Sequence, residues 1–224
     1  QILCFPGGFS YGDDLAAGRI LGNLARCQLA DVLRQFRDAD RLTLGICNGF
    51  QILLKTGLLL PDDPSTGPPA TLAWNASGRF EDRWVDLTVT SDKSVFFRGI
   101  TSMYLPVAHA EGRFVVRDHA LLGQLEQRKQ IVLKYSGPRT SDGGVRYPFN
   151  PNGALGDIAG ISDETGRVCG LMPHPERHLE ALQHPRWTRR RWQGDSMRGA
   201  AGSAVTEEVG DGLAVFQNAV RYFG

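Results

Sequence analysis

Cys47 carries the strongest signal for chemistry in this sequence. It lies in Gly45-Ile46-Cys47-Asn48-Gly49, where an apolar stretch meets a helical pattern. This is the G-x-nucleophile-x-G pattern of a sharp strand-to-helix turn, with cysteine at the position that serine takes in many hydrolases. A helix that begins at Asn48 points its N-terminal dipole at the thiol and is expected to favour the reactive thiolate. The alternative is a buried structural cysteine, the usual state of an unpaired cysteine.

A cysteine nucleophile needs a base and a group that orients that base, and His174 with Glu176 fits both roles. The two residues lie in Met172-Pro173-His174-Pro175-Glu176, where the flanking prolines favour extended backbone. Residues two apart in an extended chain point to the same side, so the carboxylate can orient the imidazole. The pair follows an apolar strand, and sites of α/β proteins lie at strand ends. A plain turn after a strand is the alternative.

Two further segments contribute only if the first two form a site. Pro6-Gly7-Gly8 follows an apolar strand at 2–5, and its glycines allow backbone N–H groups to approach a ligand closely. With the N–H of Asn48, this loop could form an oxyanion hole. Taken alone, the Gly-Gly pair and the segment Asn150-Pro151-Asn152-Gly153 are typical of ordinary turns.

The elements that must position these residues follow from periodicity. Strands at 2–5 and 42–46 alternate with helices at 21–37 and 48–56, which predicts an α/β domain with a parallel sheet. Beyond a Pro- and Gly-rich loop at 61–69, the patterns predict strands at 85–89, 103–108, 113–117, 130–135, 158–161 and 168–172. Asp211 is expected to cap a last helix that turns Leu213, Phe216 and Val220 inward.

Composition excludes several classes of function. The chain has 224 residues, 42% hydrophobic and 22% charged, which suits a single domain over 1–224. A net charge of +1 gives no overall attraction to nucleic acid or to an anionic membrane. The basic and aromatic segment 186–192 is interpreted as a solvated or partner-docking loop.

Cysteine spacing and motifs exclude several kinds of bound group. The four cysteines form no C-x-x-C pair, and no P-loop is present. His174 and His178 are separated by Pro175 and have no third ligand at a recognisable spacing, so no metal site is predicted. Without a secretory leader, the cytoplasm is the expected location. The sequence opens inside an apolar strand, so we expect an N-terminally incomplete domain with an exposed apolar sheet edge near residues 2–5.

The motifs, taken together and in order, resemble those of class I glutamine amidotransferases. More narrowly, they resemble the family of glutaminase subunits of phosphoribosylformylglycinamidine synthase. The segments that carry the resemblance are 7–13 (G-G-F-S-Y-G-D), 45–51 (G-I-C-N-G-F-Q), 109–113 (H-A-E-G-R), 150–153 (N-P-N-G) and 172–177 (M-P-H-P-E-R). The chain departs from the family at Ala110, where glycine is usual, and in residues 14–18, which lack an arginine. Residues 194–210 match no family segment.

The resemblance implies a fold and a set of site residues. The fold would be a flavodoxin-like α/β domain with a central mostly parallel sheet flanked by helices, its opening βα units missing. Cys47 would attack the side-chain carboxamide of glutamine, His174 would transfer protons, and Glu176 would orient His174. The N–H groups of Gly8 and Asn48 would form the oxyanion hole. The substrate would be held by Gln51, Asn152 and Gly153.

The resemblance also implies a partner. Ammonia would pass to a separate synthetase subunit that uses ATP and Mg²⁺ to convert formylglycinamide ribonucleotide to formylglycinamidine ribonucleotide in purine biosynthesis. A small third subunit is a further candidate partner, and no cofactor is expected in this chain. Glutaminase activity would be weak until the synthetase docks.

Two alternatives remain open on the sequence. A different cysteine hydrolase on the same scaffold would keep Cys47 but would not need the segments that hold glutamine. An inactive scaffold subunit would carry a cysteine of ordinary reactivity.

Overall fold

The computed structural model describes residues 1–192 and 209–224. The strands are β1 (Ile2–Phe5), β2 (Leu42–Ile46), β3 (Ala70–Ala73), β4 (Glu81–Val89), β5 (Ser102–His109), β6 (Arg113–Val116), β7 (Ile131–Tyr135), β8 (Ile158–Ser162) and β9 (Val168–Leu171). The helices are α1 (Arg19–Gln28), α2 (Ala30–Asp38), α3 (Asn48–Thr56), α4 (His119–Gln127), α5 (Trp187–Trp192) and α6 (Leu213–Arg221). The predicted α/β class is confirmed. Most of segment 194–210 lies outside the described residues.

The central sheet has the strand order β1-β2-β9-β8-β7-β4-β5, and β3 pairs with β6 in a small second sheet. Only β1–β2 and β2–β9 are parallel among the described pairs of the central sheet, and the other four are antiparallel. The predicted mostly parallel sheet is therefore wrong. Parallel neighbours need a crossover connection, usually a helix, whereas antiparallel neighbours need only a turn. The strand–helix alternation ends with α3, and β8 and β9 are joined by the short turn at 163–167.

The predicted single helix over 21–37 is also wrong, because it is two helices. The backbone breaks at Leu29, where φ is −121° and ψ is 7°. No glycine or proline marks this position, so the apolar period runs through the break. Leu29 and Val32 are exposed, while Ala25 and Leu33 face the core. Helix α4 and strand β3 were not predicted from the pattern.

The inner face of the last helix differs in part from the one predicted, since Phe216 packs against the core but Val220 does not. The N-cap residue of this helix is Gly212, and the Asp211 carboxylate instead accepts a hydrogen bond from the backbone N–H of Tyr104 at 2.7 Å. Val215 and Ala219 are buried, whereas 65% of Val220 is exposed. In this rotation Asn218 donates hydrogen bonds to the carbonyls of Phe96 and Arg98.

The packing of β1, β2 and α3 fixes the turn that carries Cys47. Every residue of β2 is buried. A methyl group on Gly45 would lie 2.6 Å from the Gly49 carbonyl oxygen, and one on Gly49 would lie 1.9 Å from that of Phe5. Only glycine fits at both positions, so the strand and the helix approach each other as the elbow pattern predicts.

Strand β1 lies at one edge of the sheet and pairs with β2. Ile2 is 42% exposed there, which agrees with the expected exposed apolar edge. At this edge the loop after β1 leads from Phe5 toward Cys47. Among the residues that the structure describes, no helix has both the length and the apolar character to span a membrane.

Candidate active site

Cys47 occupies a strained turn between β2 and α3. Its backbone has φ 52° and ψ −105°, a conformation that is costly for a residue with a side chain. The turn is stabilised by the backbone N–H of Cys47, which donates to the Leu171 carbonyl at 2.8 Å. The side chain is almost fully buried, with Sγ 3.7 Å from the Ala108 carbonyl oxygen, and the N–H of Asn48 donates to the sulfur. The elbow predicted from the sequence is thus present.

Burial raises the pKa of Cys47 to about 12. The hydrogen bond from Asn48 and the charge of Arg177 lower this pKa, but they do not outweigh the loss of solvent. The first N–H of the helix thus favours the thiolate, as expected, but burial has the larger effect on this pKa. With this pKa the thiol is protonated at neutral pH, so a nucleophilic role for Cys47 would need a base that removes its proton.

His174 and Glu176 form the pair that their spacing predicts. Nδ1 of His174 lies 2.6 Å from Oε1 of Glu176, and the imidazole is 1% exposed. Nε2 of the same ring is buried and has no hydrogen-bond partner among the described residues. A neutral imidazole that donates its Nδ1 proton to the carboxylate carries its lone pair on Nε2. The ring therefore presents a nitrogen that no other described residue uses.

Gly7 lies against both the imidazole and the nucleophile. A methyl group on Gly7 would lie 2.7 Å from Cε1 of His174 and 3.5 Å from Cβ of Cys47. The next residue, Gly8, is exposed, has φ +114° and would have no atom within 4 Å of an added methyl group. The structure thus brings Cys47, His174 and the glycine loop together.

Asn48 and Gln51 lie behind the nucleophile in a hydrogen-bonded series. Nδ2 of Asn48 donates to both carboxylate oxygens of Asp13, at 3.1 and 3.0 Å, and to Oε1 of Gln51 at 3.1 Å. Nε2 of Gln51 donates to the Glu111 carbonyl at 2.6 Å. Both ends of the Gln51 amide are therefore used within the protein, and its substrate contact stays a prediction. Sequence reasoning did not assign a role to Glu111, although it stands in the quoted motif at 109–113.

Asn152 and Gly153 lie in the connection between β7 and β8. Asn152 is fully buried, and its Nδ2 donates to the Tyr135 hydroxyl at 2.9 Å and lies 3.5 Å from Nε2 of His109. Gly153 is exposed, with φ 74°. The structure does not bring either residue into hydrogen-bond contact with Cys47, so their contact with substrate also stays a prediction.

Tyr135 and His109 are buried polar residues of the site that the sequence did not single out. Burial raises the pKa of Tyr135, and the nearby Cys47 adds to this effect. Burial lowers the pKa of His109 to about 4, and the neighbouring His174 adds to the shift. His109 is therefore neutral at physiological pH. Its place in the motif at 109–113 was the only signal in the sequence.

Groups of three or more potential metal ligands do not occur in the described ranges 1–192 and 209–224. His178 and His174 contact different residues. Nδ1 of His178 is 2.9 Å from the Tyr104 carbonyl, and its ring packs edge-on against Trp84.

The chemistry that this site can support is nucleophilic attack by a thiol, with an imidazole as acid and base.

The chain is similar to known proteins in sequence and in fold. Residues 1–223 match the CobB/CobQ-like glutamine amidotransferase domain. The chain is 46% identical to phosphoribosylformylglycinamidine synthase subunit PurQ of Dehalococcoides mccartyi, over 99% of this chain and 79% of that protein. It is 41% identical to the same subunit of Methanococcus maripaludis, over 100% of this chain and 81% of that protein. It is also similar to a chain in the structure of PurLQS from Thermotoga maritima, with 30% identity, a TM-score of 0.68, and coverage of 100% of this chain and 80% of that chain.

Proposed function

The chain belongs to the CobB/CobQ-like glutamine amidotransferase family, among the PurQ subunits of phosphoribosylformylglycinamidine synthase, and we propose that it hydrolyses glutamine through Cys47, His174 and Glu176. Its fold is that of class I glutamine amidotransferases, as its motifs predicted. One observation carries the assignment of the three residues. The unpartnered Nε2 of His174 belongs to a buried ring that Glu176 orients and that packs on the same glycine as Cys47.

The first half of the reaction forms a thioester. Nε2 of His174 takes the Sγ proton, and the sulfur attacks the side-chain carbonyl carbon of glutamine. The oxygen then carries negative charge, which the N–H groups of Asn48 and Gly8 would stabilise. The imidazolium next gives its proton to the amide nitrogen, the C–N bond breaks, and ammonia leaves. Glu176 stabilises the imidazolium while it holds the proton.

The second half releases glutamate. A water molecule gives a proton to Nε2 of His174 and attacks the thioester carbonyl carbon. The oxyanion forms again at the same two N–H groups, and the C–S bond breaks. The thiolate regains the proton from the imidazolium, which restores the buried neutral thiol. The raised pKa of Cys47 suits this cycle, because it disfavours a charged sulfur between turnovers.

Ammonia is used by a separate synthetase subunit, which converts formylglycinamide ribonucleotide to formylglycinamidine ribonucleotide. We assign ATP and Mg²⁺ to that subunit, and a small third subunit to the same complex, by analogy with the three-component PurLQS of the Thermotoga maritima structure. Gln51, Asn152 and Gly153 remain our candidates for contacts with glutamine. A cytoplasmic location is also proposed, and the free thiols of the exposed Cys4 and Cys27 suit a reducing compartment.

The loop after β1 has the features of a surface that a partner covers. Phe9, Tyr11 and Leu15 are 76%, 58% and 71% exposed, although such side chains are usually at least partly buried. The same loop carries Gly8, whose N–H we place in the oxyanion hole. Docking of the synthetase on this loop would therefore act directly on one oxyanion donor.

The test is a set of single variants assayed with the synthetase, ATP and formylglycinamide ribonucleotide. Cys47→Ala should release no glutamate above background while still supporting the synthetase when ammonia is supplied. His174→Ala should lower the rate by roughly 10²–10⁴-fold, the usual effect of a positioned acid and base. Cys27→Ala, which removes an exposed free thiol, is the matched control and should be unaffected. Near-normal glutamate release from Cys47→Ala would exclude the proposed nucleophile.

A further inference from the structure

Asp13 lies at the centre of a hydrogen-bond network beside the nucleophile. Its Oδ1 accepts from the Gly18 N–H at 3.0 Å and from Nδ2 of Asn48 at 3.1 Å, and its Oδ2 accepts from the same Nδ2 at 3.0 Å. Oδ1 also accepts a longer bond, 3.4 Å, from Ser10 Oγ. Asp13 itself has φ +53°, an uncommon conformation for a residue with a side chain. One carboxylate thus joins the loop after β1 to the first residue of α3.

The network closes into a ring around the back of the site. Asn48 continues it to Gln51, and Gln51 continues it to the Glu111 carbonyl. The Glu111 side chain then accepts from the Ala17 N–H at 3.2 Å, which returns the ring to the loop after β1. Asn48 and Gln51 are each 3% exposed, so water does not readily replace these bonds. The ring links three segments that are far apart in the sequence.

Both proposed oxyanion donors belong to segments that Asp13 contacts. Gly8 belongs to the same loop as Asp13, whose carboxylate accepts a hydrogen bond from the Gly18 N–H. The same carboxylate accepts hydrogen bonds from the side chain of Asn48. We propose that Asp13 is a positioning residue for glutamine hydrolysis, which keeps the N–H groups of Gly8 and Asn48 aligned on one oxygen of the transition state. The inference rests on the proposed function, since it concerns the same oxyanion hole.

Charge alone predicts the opposite effect of removing Asp13. The Asp13 carboxylate raises the pKa of Cys47, so its loss favours the thiolate and should leave the sulfur as reactive or more so. Loss of alignment instead lowers kcat, because a displaced oxyanion donor costs up to about 10²–10³-fold in rate. The sign of the change in turnover therefore separates the two roles.

The experiment compares Asp13→Asn, Asn48→Ala and their double variant with wild type in the complex with the synthetase. Asparagine at position 13 keeps an oxygen that accepts from the Gly18 N–H. Its amide NH₂ group then faces Nδ2 of Asn48, and two donors form no hydrogen bond. Asn48→Ala keeps the backbone N–H and removes the same link. We expect each single variant to lower kcat for glutamate release by about 10- to 100-fold with little change in KM. The double variant should lose little more, because both changes break one link.

Alkylation of Cys47 by iodoacetamide is the second readout, since this reaction needs no oxyanion hole. Asp13→Asn should be alkylated at least as fast as wild type and should unfold at a similar temperature. Asp92→Asn, the same charge change at an exposed residue outside this loop, is the control and should keep wild-type kcat. Unchanged kcat in Asp13→Asn would overturn the proposal. So would a fall in kcat accompanied by lost alkylation, by a lower unfolding temperature, or by an equal fall in Asp92→Asn. A wild-type complex that releases no glutamate would instead refute the proposed function itself.

Discussion

Gly7→Ala tests the contact that brings the imidazole and the nucleophile together. Gly7 does not have a positive φ, so alanine is compatible with its backbone. The added methyl group would lie 2.7 Å from Cε1 of His174, about 0.7 Å closer than an ordinary contact of 3.4 Å. Because Glu176 binds the ring at Nδ1 and the ring is 1% exposed, the imidazole must leave its position or the loop must retreat.

Either movement should lower the rate of catalysis. A displacement near 1 Å in a catalytic group can cost roughly 10²-fold in rate. We therefore expect kcat for glutamate release to fall by about 10²-fold. Overpacking at a tight site should also lower the free energy of unfolding by about 1–3 kcal/mol. The assay is glutamate release with saturating synthetase and its ligands, alongside thermal unfolding of the subunit.

Gly123→Ala is the matched control, since a methyl group there meets no atom within 4 Å. It lies inside α4, where alanine favours the helix by up to about 1 kcal/mol, and it should leave glutamate release unchanged. Wild-type kcat in Gly7→Ala would refute the reasoning, because the imidazole would then either lie away from Gly7 or tolerate the shift.

Three further outcomes are expected. Glu176→Ala should lower kcat by about 10-fold, less than His174→Ala. The lost charge-assisted hydrogen bond contributes about 1.5–3 kcal/mol, and exposure of the carboxylate reduces this value. Equal losses of kcat in Glu176→Ala and His174→Ala would contradict an orienting role for Glu176. The subunit alone should release glutamate about 10²–10³-fold more slowly than with the synthetase, if docking aligns one oxyanion donor; equal rates would exclude gating by the partner. Stability should fall by roughly 2–3 kcal/mol as pH drops from 7 to 4.5, because unfolded His109 binds a proton in that range while most of the folded residue, with its pKa lowered to about 4, does not. Urea unfolding at pH 7 and 4.5 measures this loss of stability. The loss should be smaller in His109→Gln, and an identical loss in that variant would disprove the contribution of His109.

Much of the site could be predicted because its signals are local. The elbow around Cys47 and the His174–Glu176 pair each occupy a few consecutive residues, so backbone preferences within the segment set their geometry. The glycines at 45 and 49 mark a close approach of strand and helix, and the structure has that approach. The strands were predicted well for the same reason, since alternation is visible within one strand.

The errors in the fold concern features that no single segment encodes. Strand direction depends on which strands become neighbours, and the four antiparallel pairs lie where the helical connections stop. The predicted inner face of α6 was wrong in part, and in the observed rotation Asn218 binds carbonyls more than 100 residues earlier in the chain. Periodicity alone could not supply that rotation.

The motifs were enough to propose the reacting groups, because they place a thiol, an imidazole and a carboxylate at the spacing that such a reaction needs. The environment of those groups depends on how the chain packs. Burial raises the pKa of Cys47 to about 12 and outweighs the effect of the helix N-terminus. The link from Asp13 to Asn48 spans 35 residues, and that from Ala17 to Glu111 spans 94. Desolvation and hydrogen bonds between distant segments arise only when the chain packs, so local preferences along the sequence do not reveal them.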